Sequence, residues 1–590
     1  MGKQTRRDFL RTVGSAAASA GLLSTLGGCA NTERRAVAGK RCPNVVLVIT
    51  DDQGYGDLAC HGNPIISTPN LDKLHEQSVR LTDFHVSPTC SPTRAALMTG
   101  RYCNRTGVWH TIMGRSLLRA DEVTMADVFS AAGYRTAIFG KWHLGDNYPF
   151  RPQDRGFDEA LVHGDGVIGA TSDYWGNDYF DDTYFRNGKP EKFSGYCTDV
   201  WFAEAMKFVE TNRNKPFFLY LSTNTPHGPL HVSDKYSQPY RKMGLDDNVA
   251  RFYGMITNID ENTGRLMRRL KQLGVEENTI LIFMTDNGTA TAHRVYNAGM
   301  RNNKGSEYDG GHRVPCFLRW PGGGLKPGMD VTRLTAHIDL LPTLIELCGL
   351  KKPPNVKFDG RSIAPLLGDA AAQWPERTLI TDSQRVEHPQ KWRKSAVMTD
   401  QWRLINGKEL YDIKADPGQK SDVANTYPDI VARLKSDYER WWADTSERFD
   451  EYCGIIIGSD KENPSVLTSH DWHGEHVPWN QVHVRRGRRQ NGFWAVDVAK
   501  AGRYEISLRR WPREIDTPIT GSIEGGKAIN ITKARLKIGD FDHTQPVTNQ
   551  AKAVTFTVRL QPGKTRLQGW FIDQQGSAFG SYYVYIRRLT

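Results

Sequence analysis

Two apolar runs in the chain end in carboxylates: NVVLVITDD stops at Asp51-Asp52, and NTILIFMTDN stops at Asp286-Asn287. Four oxygen donors with no sulfur or imidazole among them suit a hard divalent cation, calcium or magnesium, and not zinc. Lys141 and His143 follow a third run, RTAIFG; His227 follows a fourth, KPFFLYLS; Lys304 lies in NKGSEYDGGHRVP. Ammonium groups and imidazoles are the parts that hold an anion and move protons around it. The stretch SPTCSPTRAALMTGRY adds Cys90, with Pro92 and Arg94 spaced behind it. Proline suits the first turn of a helix, which puts residue 90 near a helix N-terminus, where the backbone dipole favours negative charge. Arg94 returns beside it one turn later.

The fold has to bring these groups together. The four runs are β-branched and do not alternate, as strands buried on both faces of a parallel sheet require. Amphipathic helical stretches, Asp199 to Asn212 and Val249 to Leu273, lie between them. Strands alternating with helices predict an α/β fold, a large doubly wound, mostly parallel sheet with flanking helices, whose ligands sit beyond the strand C-termini. From Trp374 the texture changes to short strands and turns, then a helix ending near Ser446, which predicts a small antiparallel sheet subdomain. Past Cys453, alternating strands with Gly turns predict a C-terminal β-sandwich. The expected division is a signal over 1–29, a linker over 30–41, a catalytic α/β domain over 42–373, a small α+β subdomain over 374–452 and an accessory sandwich over 453–590.

With 590 residues, 39% of them apolar, the chain has room for two or three domains and is neither disordered nor fibrous. Its 77 Lys+Arg against 66 Asp+Glu leave +11. The basic residues are scattered, clustering only at Arg485-Arg486-Gly487-Arg488-Arg489 and the N-terminus, so the balance suits anionic substrates and implies no nucleic-acid partner. TRRDFLRTVGSAAASAGLLSTLGGC joins a twin arginine, Arg6 and Arg7, to a weakly apolar run ending at Cys29. It reads as a twin-arginine (Tat) export signal of the lipoprotein type. The expectation is export by the Tat machinery, lipidation of Cys29, membrane attachment through that lipid, and a periplasmic or cell-surface location. No later stretch has the roughly 18 uninterrupted apolar residues of a membrane span. The remaining cysteines form no CxxC pair, which argues against a zinc cage; one or two disulfides stay open, with no partners fixed.

Cys90-x-Pro-x-Arg94 followed by AALMTGRY resembles the sulfatase family. So do, in the family's order, TDDQGYGDLACHGNP, GKWHLG, TPHGP, TDNG, NKGSEYDGGHRVP and LYDIKADPGQKSDVA, over most of residues 42 to 450. The resemblance, to formylglycine-dependent, arylsulfatase-like members of the alkaline phosphatase superfamily, implies hydrolysis of sulfate monoesters. It implies that a separate formylglycine-generating or equivalent enzyme converts Cys90 to formylglycine. It names Asp51, Asp52, Asp286 and Asn287 as ligands of one calcium ion, with residue 90 as a further ligand. It implies that Arg94 and Lys141 stabilise the hydrated aldehyde, that His143 assists its geminal hydroxyl, and that His227 and Lys304 bind the sulfate and protonate or shield the leaving oxygen. A sulfate ester is a tetrahedral anion whose charge must be held while the leaving oxygen turns negative, so a hard cation and fixed positive groups suit it. A serine nucleophile would leave a sulfated enzyme for water to attack, whereas a hydrated aldehyde has two hydroxyls, one to take the sulfate and one to expel it.

Further expectations concern the substrate. His293, Arg294 and Arg301 in HRVYNAGMRNN, together with His312, are candidate substrate contacts; Glu307 and Arg313 suit a structural ion pair. Ser172 to Lys189 mixes aromatics with acids, as a sugar site or a packed loop would. Trp479, Trp494, Trp511 and Trp570 suit either a sandwich core or a carbohydrate-binding face. His470, His473 and His476, three apart, suggest a weak second metal site or a loop folded back over the active site. The expected substrate is a sulfated carbohydrate, with aryl sulfates as surrogates. One rival is a phosphate or phosphonate ester hydrolase on the same scaffold, against which the oxygen ligands and Cys90 count. The other is a non-catalytic binder of sulfated glycans with Cys90 left as a thiol, against which the full set of polar groups counts.

Overall fold

The computed structural model describes residues 42–589; the stretches expected to be an export signal and a linker, with Cys29, lie outside the described residues. In the strand Asn44–Thr50, Val45, Leu47 and Ile49 are fully buried on one face, and Val46 and Val48 on the other. A strand apolar on both faces needs cover on both, and each such side chain contributes about 1.5–3 kcal/mol on burial. Helices Cys90–Thr99, Met125–Ala131 and Leu340–Leu347 cover the first face; Pro69–Glu76, Cys197–Asn212 and Asp247–Gln272 cover the second. The last two helices occupy the stretches expected to be helical. Asp246 starts the longer one early by accepting from the Asn248 and Val249 N–H groups.

Thr279–Thr285 and Phe217–Ser222 flank Asn44–Thr50 in parallel, and Arg135–Gly140 and Glu159–Val162 continue the parallel run. Antiparallel strands, among them Cys316–Arg319 and Thr183–Arg186, extend the sheet on either side to ten strands. The four apolar runs are therefore the sheet's central neighbours, and their register levels their ends. Thr50 pairs with Thr285, and Ser222 pairs with both Ile49 and Gly140. Asp51, Lys141, Thr223 and Asp286 thus begin loops at one common edge.

A four-stranded antiparallel meander, Leu379–Asp382, Ser395–Met398, Trp402–Ile405 and Glu409–Asp412, follows. The helix Pro428–Thr445 packs on it through Leu434, Tyr438 and Trp441. The C-terminal region folds as two further sheets, of six and four strands, which share a core containing Ile506, Phe556, Val584, Val496, Leu536 and Phe571. Strand Val554–Leu560 shows why: its residues alternate buried and exposed along VTFTVRL, so only one face is apolar. Trp494 and Trp511 are fully buried in this sandwich, and Trp570 lies under the Arg535 guanidinium at 4.7 Å.

The sandwich is more closely integrated than an appended module. Its core includes Met113, Leu117, Phe150 and Trp175, which belong to loops of the parallel-sheet unit. Among the described residues no helix is long and apolar enough to cross a membrane. Cys60, Cys90, Cys103, Cys197, Cys316, Cys348 and Cys453 are free thiols.

Candidate active site

Cys90 is the first residue of the helix Cys90–Thr99, after an extended Thr89. Thr93 fastens the turn: its N–H donates to the Thr89 carbonyl (3.2 Å) and its hydroxyl to the Ser87 carbonyl (2.8 Å). All ten residues of the helix are buried, and Gly100 ends it in the left-handed region (φ 65°). Burial pushes the Cys90 thiol up, with Lys141 and Lys304 opposing. The unmodified residue is therefore a neutral thiol and a poor nucleophile.

Asp51, Asp286 and Cys90 bring a carboxylate oxygen each and Sγ within 4.8 Å of one another, all buried. Asp52 N–H donates to Asp286 Oδ1 (3.1 Å), and Asn287 Nδ2 donates to Asp52 Oδ1 (2.9 Å), which draws the two strand ends together. Four cationic or potentially cationic groups face these carboxylates. Arg94 donates to Asp286 Oδ2 from Nη2 (2.7 Å) and Nε (3.1 Å); Lys141 Nζ lies 2.7 Å from Asp51 Oδ2. Lys304 Nζ is 2.5 Å from Asp52 Oδ1, and His227 Nε2 is 3.6 Å from Asp52 Oδ2.

Asp51 Oδ1 and Asn287 Oδ1 are buried and meet no donor. Buried oxygens without donors, beside the carboxylates of Asp52 and Asp286, fit a hard cation, and the donor set is all oxygen apart from residue 90. The electrostatics agree. Burial raises the Asp286 carboxyl to about 6, Asp51 adding to the effect and Arg94 opposing it. Burial would raise Asp52 as well, but Lys304 and then His227 hold it well below the usual carboxylate range.

His143 sits at φ 59°, its ring against Gly166, where a Cβ would stand 2.2 Å from Cε1 and Nε2. Its Nε2 lies 2.9 Å from the Thr111 carbonyl, an acceptor only, which assigns the proton to Nε2 and leaves the lone pair on Nδ1. Nδ1 is buried and unpartnered. Burial pushes this imidazole well below its ordinary value, and the Lys141 cation adds to that, so it is neutral. His227 is fixed the other way. Its Nδ1 lies 2.7 Å from the Gly228 carbonyl, leaving Nε2 to face Asp52, while its own carbonyl accepts from Tyr179 OH (2.9 Å). The His227 and Lys304 side chains are 24% and 16% exposed, those of Arg94, Lys141, Asp51 and Asp286 0%. The site opens at His227 and Lys304.

Two participants, Ser222 and Asp165, carried no clear signal in the sequence; a third, His470, lies in the segment expected either to bind a second metal or to fold back over the active site. Ser222 Oγ accepts from Arg94 Nη1 and donates to the Lys141 carbonyl (2.7 Å), tying the two cationic segments together. Asp165 Oδ1 lies 3.7 Å from His143 Nε2, and His470 Nε2 pairs with Asp165 Oδ2. Ser222 could have been suspected from its place at a strand end; Asp165 and His470 meet only in three dimensions.

The expected substrate contacts divide. His293 and Arg294 lie in the turn Ala292–Arg294, just after the Asp286–Asn287 loop, the first partly exposed and the second exposed. Arg301 departs from the expectation: it donates to Tyr411 OH (2.9 Å) and the Gln419 carbonyl (2.8 Å), with its guanidinium 3.8 Å over Tyr308, and so fastens the meander. His312 departs too, being fully buried between His85 Nδ1 (2.9 Å) and the Glu307 carbonyl (3.0 Å). Glu307 accepts from Asn406 (2.8 Å) and Arg313 donates to the Thr82 carbonyl (2.6 Å), in place of pairing with each other. Of Ser172 to Lys189, the part up to Asp182 is a loop whose acids Asp173 and Asp182 accept nearby backbone N–H groups, and the rest enters the sheet as the strand Thr183–Arg186 and its turn. His470 and His473 turn to different partners, Asp165 and Glu387, and His476 is exposed, so the three share no metal.

Comparison with known proteins agrees with this geometry. The Sulfatase family pattern matches residues 43–350, and that of N-sulphoglucosamine sulphohydrolase, C-terminal, matches 302–443. Human arylsulfatase A is 34% identical over 355 residues, covering 55% of this chain and 68% of that protein. Mouse N-acetylgalactosamine-6-sulfatase is 30% identical over 367 residues, covering 55% and 66%. The crystal structure of Ps i-CgsB superposes with a TM-score of 0.64 at 28% identity, over 70% of this chain and 95% of that one. With the family pattern spanning more than half of the residues and taking in Asp51, Cys90, Lys141, His227 and Asp286, the chain belongs to the sulfatase family and is a sulfuric ester hydrolase.

Proposed function

We propose that the chain hydrolyses sulfate monoesters on a carbohydrate, with formylglycine made from Cys90 as nucleophile and calcium as the metal. The observation that carries this reading is the setting of Cys90, a buried neutral thiol at a helix N-terminus among Asp51, Asp286, Lys141 and Lys304. Such a thiol has little chemistry of its own, whereas a hydrated aldehyde there supplies one hydroxyl to attack sulfur and another to release the sulfate. Calcium, held by Asp51, Asp52, Asp286 and Asn287 beside residue 90, supplies Lewis-acid stabilisation of the charge that develops on the sulfuryl oxygens.

The protein's own groups do the rest. Arg94 and Lys141, locked by Asp286, Asp51 and Ser222, form a rigid cationic floor that needs no reorganisation as charge develops. His143 offers the unpartnered Nδ1 lone pair to a proton at residue 90 and returns that proton later. At the mouth, Lys304 holds the incoming anion as an ammonium. His227, neutral at rest, takes up a second proton at Nε2 from solvent at this mouth, which Asp52 favours, and passes it to the bridging oxygen as its bond to sulfur breaks.

A carbohydrate substrate is supported by relatives: one is named for N-acetylgalactosamine-6-sulfate chemistry, and Ps i-CgsB is known in complex with k-i-k-neocarrahexaose. Arg6-Arg7 and Cys29 support Tat export and a lipid-anchored place in the periplasm or on the cell surface. That route carries folded chains, so the maturation enzyme can act before export.

The test is the mass of the tryptic peptide Leu81 to Arg94, from a host with the converting enzyme, followed by turnover of an aryl sulfate with and without calcium. A mass lowered by the thiol-to-aldehyde difference, with calcium-dependent turnover, is expected. An intact thiol, in cells that convert a control sulfatase, removes the mechanism.

A further inference from the structure

The turn Ser469–Asp471 and the residues after it lie beyond both family matches, in the sandwich, yet they reach the active site. His470 is 2% exposed, and its Nε2 pairs with Asp165 Oδ2 while its Nδ1 is 3.1 Å from Asp471 Oδ1. Its backbone carbonyl accepts from Met113 N–H (3.0 Å). The next histidine, His473, fills the space beside Gly114, where a Cβ would stand 2.5 Å from its Nε2. The 469–473 segment therefore grips two separate loops, 110–115 and 164–166.

Those two loops carry the groups that surround Nε2 of His143. The carbonyl of Thr111, in the first, accepts its proton at 2.9 Å; Asp165, in the second, lies 3.7 Å away; and Gly166 backs the ring. Asp165 also sits among acids. Its N–H donates to Asp146 Oδ1 (3.2 Å), and burial, with Asp165 and Asp471 adding, raises Asp146 to about 8. Asp165 and Asp471 both pair with the His470 cation, Lys141 adding a weaker attraction for Asp165, while burial holds His110 and His143 neutral. Without His470, Asp165 would be left as an unpaired buried charge and would take up a proton or swing away.

We propose that the Ser469–His473 segment of the sandwich completes the sulfatase active site, with His470 as a positioning residue that fixes the tautomer and placement of His143 through Asp165 and the Thr111 loop. The inference rests on the catalytic reading of His143 above. It gives the C-terminal region a role in the chemistry of the site, through an ion pair and a backbone hydrogen bond, without contact with the substrate.

The experiment compares four full-length, Cys90-converted proteins, wild type, His470→Gln, His143→Ala and the double variant, on a chromogenic aryl sulfate. His470→Gln is expected to lower kcat roughly 10–100-fold, with KM within about twofold, because misplacing a reacting group by about 1 Å costs on this scale. In the His143→Ala background the same change should alter kcat by less than about twofold, since its effect runs through the missing imidazole. Wild-type kcat in His470→Gln, a loss that appears mainly in KM, or losses that multiply in the double variant would overturn the proposal. If His470→Gln does not fold, Asp471→Ala removes only the partner of Nδ1. A few-fold loss of kcat that vanishes without His143 then supports the proposal, and none counts against it. A converted wild type without turnover instead overturns the functional reading itself.

Discussion

Replacing Gly166 by Ala should disable His143 while leaving the rest of the site in place. The new Cβ would stand 2.2 Å from Cε1 and Nε2 and 2.6 Å from Nδ1 of the imidazole, well inside the 3.4 Å of ordinary contact. The ring must retreat by about 1.2 Å to reach that contact, and it starts from a hydrogen bond of 2.9 Å to Thr111 and a fully packed pocket. A displacement of that size costs on the order of 10²-fold in rate when the group takes part in the reaction, equivalent to about 2.7 kcal/mol of transition-state stabilisation. Overpacking costs folding about 1–3 kcal/mol. The assay is steady-state turnover of an aryl sulfate by the converted protein, alongside thermal unfolding and calcium content. The expected result is kcat down about 100-fold, KM near wild type, calcium content unchanged and a modestly lower Tm. Gly368→Ala, whose Cβ would meet nothing within 4 Å, serves as the control and should change neither quantity. A Gly166→Ala protein with wild-type kcat would refute the reasoning, because it would mean that His143 acts from no fixed position.

Other outcomes follow from the same geometry. Chelation with EGTA should lower Tm and added calcium restore it, by about 2.7 kcal/mol at a hundred times Kd; a Tm indifferent to both would contradict the calcium assignment. Arg94→Met leaves Asp286 as a buried carboxylate without its paired cation and should cost about 3–5 kcal/mol in urea unfolding, a cost below 1 kcal/mol being the contrary result. Arg301→Ala should lower stability with KM unchanged, because its contacts are Tyr411, Gln419 and Tyr308; a raised KM would return it to substrate binding. The last concerns pH. Burial alone would lower His470, but Asp165 and then Asp471 outweigh it and push it up to about 10, from the 6.5 of an ordinary imidazole. The native state thus holds a proton that the unfolded chain gives up, so this contribution is complete below pH 6.5 and is lost as pH rises through about 10. Urea midpoints should fall between pH 6.5 and about 9 in the wild type and fall less steeply in His470→Gln; equal slopes would refute the pairing.

Most of the catalytic ring was legible in the order of residues, for a reason that lies in the sheet. An apolar run without alternation has to be a strand buried on both faces, and a carboxylate directly after it has to leave the sheet at its C-terminal edge. That logic located Asp51, Asp52, Lys141, His227, Asp286 and Asn287, and the proline two residues after Cys90 placed the thiol at its helix start. The same logic gave no hold on loops. Arg301 and His312 looked like rim residues because they neighbour Lys304 in sequence, but the chain turns there to meet the meander, and both are engaged with protein groups.

What the sequence determined by itself was the parallel core, the helix that carries Cys90 and the identity of the groups around it, because these depend on local apolar pattern and on spacing within one turn. Tertiary structure alone decided which nitrogen of His143 holds the proton, which oxygens of Asp51 and Asn287 are left without donors, and that His470 meets Asp165 rather than a metal shared with His473 and His476. Those outcomes depend on distances between segments whose separation in sequence carries no information about their contact in space.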